Sequence, residues 1–238
     1  MADGMATGQV IVTGGSRGIG KAIATALGGA GYDVVSVSRS GDTPAGRGIA
    51  CDLTDEAALK AAFAEIGAAG PVAGLVNNAG FHITAKSASL ATEDYEKVMA
   101  LNATAVMLAS REAYPMLCET RGTIVNIGSF FDKMGVPDNL AYCASKAAVG
   151  AITRCLAVEW AKDGIRVMNV APGYIATDLN SDYLARDKVK TWLAGRIPTG
   201  GPGTPEDVAK LVTSLMTGAI PYLTGETIYI DGGQGMNH

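Results

Sequence analysis

Short apolar runs alternate with longer segments of helical periodicity along nearly the whole chain. The short runs predict β-strands, and the segments with apolar residues three and four positions apart predict amphipathic helices. The predicted strands are 9–13, 33–38, a short one near 48–51, 72–77, 123–128, 165–171 and 226–231. The predicted helices are 18–29, 55–68, 92–119, 139–162 and 204–217.

The predicted strands are apolar throughout instead of alternating, which is typical of strands covered on both faces. This pattern predicts an α/β fold: a single doubly wound parallel sheet (Rossmann-like) with helices on both faces. A chain of 238 residues suits one such domain, spanning 1–238.

Local signals predict three further features of the helices and loops. Thr92 and Thr204 are the expected N-caps of their helices, and Pro115 predicts a break in the long helix 92–119. Residues 174–203 show no clear periodicity and mix charged with aromatic residues. A long irregular insertion between a strand and a helix is often a binding lid, so we expect a short substrate lid here.

Composition narrows the class of protein. Hydrophobic residues make up 48% and charged residues 18%, which indicates a well-packed globular chain. A net charge of −4 without a basic stripe argues against nucleic-acid binding. No apolar run reaches the roughly 18 residues that span a bilayer, and the N-terminus does not resemble a secretion signal. We therefore expect a cytoplasmic protein with no membrane contact, whose four cysteines are reduced thiols and bind no metal.

The first strand leads directly into a glycine-rich turn and a helix, over residues 13–20. Glycines let the backbone turn sharply and approach a pyrophosphate, and the helix N-terminus offers it free N–H groups. This pattern predicts a dinucleotide site formed by Gly14, Ser16, Arg17, Gly18, Ile19 and Gly20. The alternative is a tight turn with no ligand.

The end of the second strand indicates which dinucleotide is bound. An acidic side chain there would bind the adenosine ribose and repel a 2′-phosphate. Ser38 and Arg39 occupy this place instead, and Arg17 offers a second guanidinium. Because guanidinium groups pair well with phosphate, the sequence predicts NADP. The alternative is that both arginines are ordinary solvated residues.

A tyrosine and a lysine four residues apart share one face of the helix 139–162. Tyr142 and Lys146 therefore point the same way. A neighbouring ammonium would lower the pKa of the phenol, so Tyr142 could exchange a proton with an alcohol or carbonyl oxygen. Ser129 follows the strand 123–128, at an edge where parallel sheets bind ligands, and could hold the same oxygen.

Taken together, these motifs resemble those of the short-chain dehydrogenase/reductase family over nearly the full length of the chain. The family's catalytic serine, tyrosine and lysine correspond to Ser129, Tyr142 and Lys146, and its helical asparagine to Asn102. The resemblance implies that Asn102 locally breaks its helix and holds a water that links Lys146 to solvent. It implies hydride transfer with NADPH and proton donation by Tyr142. It also implies that Asp52, Leu53, Asn78, Ala79, Gly80, Pro172, Gly173, Ile175 and Thr177 join Tyr142 and Lys146 in binding the cofactor.

Aromatic residues cluster directly after the motifs of the site. We expect Phe81, Phe130, Phe131, Met134, Tyr174 and Trp192 to contact substrate. Such a wall favours a small apolar or cyclic ketone or alcohol. The same phenylalanines could instead pack inward, and the sequence does not decide whether His82 touches substrate.

Several alternatives remain open. A 3-oxoacyl thioester on an acyl carrier protein is a rival substrate, although the acidic and basic residues of 174–203 nearly balance. A non-catalytic dinucleotide sensor, or an epimerase or dehydratase on the same fold, is a rival function. The resemblance also implies a homotetramer, paired through the helices 92–119 and 139–162 and through the last strand near Tyr229.

Overall fold

Seven parallel strands form one sheet in this computed structural model, which describes residues 8–178, 180–218 and 220–237. The strands are β1 Gln9–Thr13, β2 Asp33–Ser38, β3 Arg47–Ala50, β4 Val72–Asn77, β5 Thr123–Ile127, β6 Arg166–Pro172 and β7 Thr227–Ile230. Their order across the sheet is β3-β2-β1-β4-β5-β6-β7. The predicted doubly wound parallel sheet is thereby confirmed. The expectation about a secretion signal falls partly on residues 1–7, outside the described residues.

Eight α-helices connect and cover these strands in the described part of the chain. They are α1 Gly18–Gly29, α2 Glu56–Ala69, α3 Thr92–Met99, α4 Ala105–Thr120, α5 Leu140–Trp160, α6 Ser181–Leu184, α7 Asp187–Arg196 and α8 Pro205–Thr217. A π-helical turn, Ala100–Thr104, joins α3 to α4. Every predicted strand and helix is present with ends that differ by one or two residues, except that 92–119 is two α-helices joined by this π-helical turn.

The hydrophobic core has two layers, one on each face of the sheet. Helices α2, α4 and α5 pack on one face, with Phe63 and Leu117 fully buried there. Helices α1 and α8 pack on the other, around Leu27 and Val212. Because successive strand residues point to opposite faces, Ile11 enters the first layer while Val10 and Val12 enter the second. This double covering explains why the strands are apolar at every position.

The long helical region differs from the prediction at two points. Ala91, not Thr92, is the N-cap, and no side chain caps this helix. The predicted break at Pro115 is wrong, because α4 continues through it to Thr120. Pro115 lies on the exposed side of α4, where water can satisfy the carbonyl left without an N–H partner. The irregular turn lies instead around Asn102.

Two other helix predictions have different outcomes. Thr204 caps α8 as expected: its hydroxyl accepts from the backbone N–H of Asp207, whose carboxylate in turn accepts from the backbone N–H of Thr204. The prediction that 174–203 is irregular is wrong, because α6 and α7 lie within it. Their apolar periodicity is short, and only Leu184, Leu193 and Ile197 form a small buried cluster there.

Candidate active site

A cleft of about 1400 Å³ runs along the carboxyl ends of β1, β2, β4, β5 and β6. It lies where the strand order changes direction, between β1 and β4, which is where doubly wound sheets bind ligands. All of the predicted cofactor-binding residues line it: Gly14, Ser16, Arg17, Gly18, Ile19, Gly20, Ser38, Arg39, Asp52, Leu53, Asn78, Ala79, Gly80, Tyr142, Lys146, Pro172, Gly173, Ile175 and Thr177.

The glycine-rich turn has a backbone that other residues would strain. Gly14 and Gly18 adopt positive φ angles of 67° and 53°. A Cβ at Gly20 would lie 2.2 Å from the carbonyl oxygen of Gly14, whereas a Cβ at Gly18 would find its nearest contact 3.8 Å away, on Thr177. The turn is therefore tightly packed at Gly20 and open to the cleft at Gly18. The open side leaves room for a pyrophosphate at the start of α1.

Asn78 holds this turn against the end of β4. Its side-chain amide donates to the carbonyl oxygens of Thr13 and Gly14, at 3.0 and 3.2 Å. In return, the hydroxyl of Thr13 accepts from the backbone N–H groups of Asn78 and Ala79. Asn78 therefore both lines the cleft and holds the glycine turn in place.

The end of β2 presents hydroxyl and guanidinium groups to the cleft. Ser38 and Arg39 line it, and the carboxylate of Asp52 lies nearby. Hydrogen bonds from the backbone and side chain of Thr54 lower the pKa of Asp52, and the positive charge of Arg39 lowers it further. Ser40 and Asp42 also line this part of the cleft. The sequence analysis missed both, because they follow the strand in a loop without a recognisable motif.

Ser129, Tyr142 and Lys146 meet in the wall of the same cleft. Ser129 follows β5 and begins a short 3-10 turn, Phe130–Lys133, whose Phe131 N–H donates to its hydroxyl at 3.2 Å. Tyr142 and Lys146 lie one turn apart on α5, and the lysine Nζ is 5.7 Å from the centre of the tyrosine ring. The structure thus brings together three residues from two separate segments of the chain.

Burial dominates the ionisation of this group. Burial lowers the pKa of Lys146 to about 8, and its Nζ donates to the carbonyl oxygen of Ile127 at 2.7 Å. Burial raises the pKa of Tyr142, and only the hydrogen bond with Ser129 counters it. In the protein chain itself, burial has the larger effect on the pKa of Tyr142, so the lowering of that pKa by Lys146 stays a prediction.

Asn102 lies beside the cleft and not in its lining. It is fully buried in the π-helical turn. Its amide group makes a matched pair of 2.9 Å hydrogen bonds with the backbone of Phe81, accepting from the N–H and donating to the carbonyl. It also donates to the hydroxyl of Ser145, next to Lys146 on α5. Asn102 therefore ties the segment after β4 to the helix that carries Tyr142 and Lys146.

The segment after β6 is braced by a residue that the sequence analysis missed. The side-chain oxygen of Asn180 accepts from the backbone N–H of Thr177 at 2.8 Å, and its amide donates to the carbonyl of Ile175 at 2.9 Å. Asn180 also lines the cleft. Asparagine is common in turns, but the bonds of Asn180 back to Thr177 and Ile175 have no motif by which they could be found from the sequence.

Aromatic side chains form one end of the cleft. Of the predicted substrate residues, Phe81, Phe130, Phe131 and Tyr174 line it, whereas Met134 and Trp192 do not. Trp192, on α7, packs edge to face on Tyr174, with their ring centres 5.8 Å apart. Met134 and Trp192 lie outside this lining, and their contact with substrate stays a prediction. His82 does line it.

The comparisons with known proteins agree with this geometry. Over residues 14–235 the chain matches the model of a family described as enoyl-(acyl carrier protein) reductase. A Rossmann-like sheet with a dinucleotide cradle and a serine, tyrosine and lysine in one cleft defines an oxidoreductase class. The chain belongs to the short-chain dehydrogenase/reductase family.

Three similar proteins show the range of this family. The chain is 41% identical to an inactive 2-(S)-hydroxypropyl-CoM dehydrogenase 2 of Xanthobacter autotrophicus, over 78% of this chain and 84% of the relative. It is 38% identical to a glucose 1-dehydrogenase of Gluconobacter oxydans, over 97% and 93%. A gluconate 5-dehydrogenase of Burkholderia cenocepacia, solved with NADP and tartrate, superposes with a TM-score of 0.90 at 28% identity, over 98% of this chain and 96% of that chain.

None of the helices within the described ranges is long and apolar enough to cross a bilayer. Among the same residues, no three histidine, cysteine, aspartate or glutamate side chains come together as metal ligands would. The four cysteines are free thiols. A cytoplasmic location and a reaction without metal stay predictions.

Proposed function

We propose that this protein is an NADP(H)-dependent enzyme that interconverts a carbonyl and an alcohol by hydride transfer. The observation that carries the proposal is the convergence of Ser129, Tyr142 and Lys146 on the cleft that also contains the glycine cradle. A protein that only sensed dinucleotides would need the cradle alone, so this convergence favours catalysis. A non-catalytic dinucleotide sensor stays the alternative function, because one similar protein is described as inactive.

The preference for NADP over NAD rests on the end of β2. Arg17, Ser38 and Arg39 line the cleft at the end away from Tyr142, and no carboxylate follows β2 directly. Within the described residues, neither Arg17 nor Arg39 pairs with an acidic side chain in a salt bridge. Both guanidinium groups are therefore available to a 2′-phosphate. The similar gluconate 5-dehydrogenase was solved with NADP, which supports the same preference.

The chain's own residues would bind, orient and move a proton. The bound cofactor supplies or accepts the hydride. Ser129 would hold the substrate oxygen beside the hydroxyl of Tyr142, which protonates it in reduction and deprotonates it in oxidation. Lys146 would hold the nicotinamide ribose. Asn102 would keep α5 in register with the segment after β4, through its bonds to Phe81 and Ser145.

The substrate is proposed to be a small apolar or cyclic ketone or alcohol, with 174–203 as its lid. Phe131 lies between the ring of Tyr142 and that of Tyr174, edge to face with both, at 6.0 and 6.4 Å. Flat apolar rings suit a cyclic compound. The alternative, a thioester on an acyl carrier protein, is favoured by the description of the family model.

Assays with both cofactors would test the proposal. Purified protein should oxidise cyclic secondary alcohols with NADP⁺ faster than with NAD⁺, and should reduce the matching ketones with NADPH. Much faster reduction of an acetoacetyl thioester would favour the alternative substrate. Binding of NADPH without turnover of any alcohol, ketone or thioester would favour the sensor.

The oligomeric state is a separate proposal. Met107 on α4 and Val158 on α5 expose apolar side chains, as expected if these helices pair with their copies in a homotetramer. Light scattering at micromolar concentration should give four times the mass of the chain, and a stable monomer would refute the assembly.

A further inference from the structure

His82 lies against the tyrosine that the proposed reaction depends on. Its ring meets that of Tyr142 edge to face, with centres 4.9 Å apart and planes inclined at 74°. The residue is exposed and lines the cleft, one position after Phe81. Phe131 meets Tyr142 in a similar manner, at 6.0 Å. Of these two neighbours, only the histidine can make hydrogen bonds to a ligand.

A second residue fixes which nitrogen of His82 carries the proton. The Nε2 atom is hydrogen-bonded to the side-chain oxygen of Asn139. The amide nitrogen of Asn139 donates to the carbonyl oxygen of Pro137 at 2.6 Å, which fixes the orientation of the amide group. Because Asn139 presents an oxygen, Nε2 must be the donor. In the neutral ring the proton is therefore on Nε2, and Nδ1 is an acceptor.

The acceptor at Nδ1 has no donor within residues 8–178, 180–218 and 220–237, since the only hydrogen bond of this ring there is the one to Asn139. The aromatic side chains of Phe81, Phe130, Phe131 and Tyr174 line the same cleft, where Ser129 and Tyr142 supply the polar groups for the reacting oxygen. A single oriented acceptor in such surroundings selects a ligand with one donor at a matching position.

We propose that His82 is a specificity residue whose Nδ1 accepts a hydrogen bond from a hydroxyl on the carbon next to the reacting carbon. The substrate class is then a cyclic vicinal diol or the corresponding α-hydroxy ketone. This inference rests on the proposed function, because it places the reacting oxygen at Tyr142. The edge-to-face contact between His82 and Tyr142 puts the imidazole ring next to the side chain that would hold the reacting oxygen. Asn139 is the positioning residue.

Two alcohols that differ in one hydroxyl group test the inference directly. We would measure kcat/KM for cyclohexane-1,2-diol and for cyclohexanol with NADP⁺, in the wild type and in His82→Phe. The phenyl ring keeps the edge-to-face packing on Tyr142 but removes both nitrogens. The variant should lose about 3- to 10-fold on the diol, as expected for one hydrogen bond, and should stay within twofold on cyclohexanol.

Two further variants separate binding from folding. Asn139→Leu removes the acceptor that orients the ring and should reduce selectivity for the diol in the same direction. Thr84→Val is the matched control, because Thr84 is exposed in the same loop and absent from the cleft lining. It should behave as the wild type with both alcohols.

Two results with active enzyme would overturn the inference. An equal loss on both alcohols in His82→Phe would mean that the histidine acts through the packing of Tyr142, and no loss on either would mean that it does not contact substrate. If the wild type oxidises neither alcohol, the proposed function fails on that class. Calorimetric titration of the NADP⁺-loaded proteins then decides the inference: weaker binding of the diol alone in His82→Phe supports it, and equal binding overturns it.

Discussion

Replacing Gly20 by alanine adds one methyl group at the most crowded point of the glycine turn. The new Cβ would lie 2.2 Å from the carbonyl oxygen of Gly14 and 2.4 Å from the amide nitrogen of Asn78. Both distances are far below 3.0 Å, and real Cβ atoms essentially never lie that close to another heavy atom. Neither neighbour can move freely, because the amide of Asn78 is bonded to that same carbonyl and to the carbonyl of Thr13. The backbone of the turn must shift.

The expected cost follows from this crowding. Overpacking of a tight site typically destabilises a protein by about 1–3 kcal/mol, which for a chain of this size lowers Tm by about 2–12 °C. The shift also moves the N–H groups at the start of α1 away from a bound pyrophosphate. Since a hydrogen bond to a charged group contributes about 1.5–3 kcal/mol, we expect the Kd for NADPH to rise roughly 10- to 100-fold.

A glycine at the far end of the same helix provides the control. A Cβ at Gly29 meets nothing within 4 Å, so Gly29→Ala gains helix propensity, at most about 1 kcal/mol, without a clash. Thermal unfolding and fluorescence titration with NADPH would be measured for both variants. Gly29→Ala should match or exceed the wild-type Tm and bind NADPH normally. If Gly20→Ala binds NADPH within twofold of wild type, the assignment of this turn as the cofactor cradle is wrong.

Three more predictions concern side chains of the cleft. Tyr142→Phe should lower kcat by about 100- to 10,000-fold with NADPH binding unchanged; a variant that keeps more than half the rate would rule out the proton-transfer role. Arg39→Ala should lower kcat/KM with NADPH by about 10-fold or more and leave kcat/KM with NADH unchanged. Adding Ser38→Asp should reverse the cofactor preference. A wild-type enzyme that favours NADH would contradict the predicted preference for NADP. Lys146 has a folded pKa of about 8, below the ordinary value of about 10.4, so the unfolded chain binds the proton more tightly. The destabilisation caused by burying the charged lysine is fully present below pH 8 and disappears as pH rises towards 10.4. Over that window, the free energy of unfolding of the wild type, relative to that of Lys146→Met, should therefore rise by about 3 kcal/mol. Denaturant titrations at several pH values check it, and a constant difference would mean that the lysine is not desolvated.

The sequence alone determined the fold and most of the residues that line the cleft around the glycine turn. Apolar strands alternating with amphipathic helices leave few arrangements other than a doubly wound sheet, because each strand needs cover on both faces. Gly14, Gly18 and Gly20 could be recognised because the backbone geometry that they allow is a local property of the chain. Tyr142 and Lys146 could be paired for the same reason, since four residues of helix bring them onto one face.

The features that the sequence missed depend on packing between distant segments. Whether Trp192 lines the cleft depends on how α7 packs on the rest of the chain, and in the tertiary structure Trp192 contacts Tyr174 from outside the lining. Pro115 continues the helix because its outer side faces solvent, whereas Asn102 distorts it because its amide pairs with the backbone of Phe81. Neither partner can be read from the local sequence.

The ionisation of the site and the place of His82 likewise depend on the tertiary structure. The spacing of Tyr142 and Lys146 predicts attraction between them, but the folded chain removes water from both, and this desolvation sets the direction of each pKa. The sequence leaves open whether His82 touches substrate. It becomes a candidate for binding substrate because Asn139, 57 positions later, orients its ring against Tyr142. Local sequence determines which groups are present and which helix or strand carries them, whereas solvent exposure and long-range contacts determine their charge and orientation.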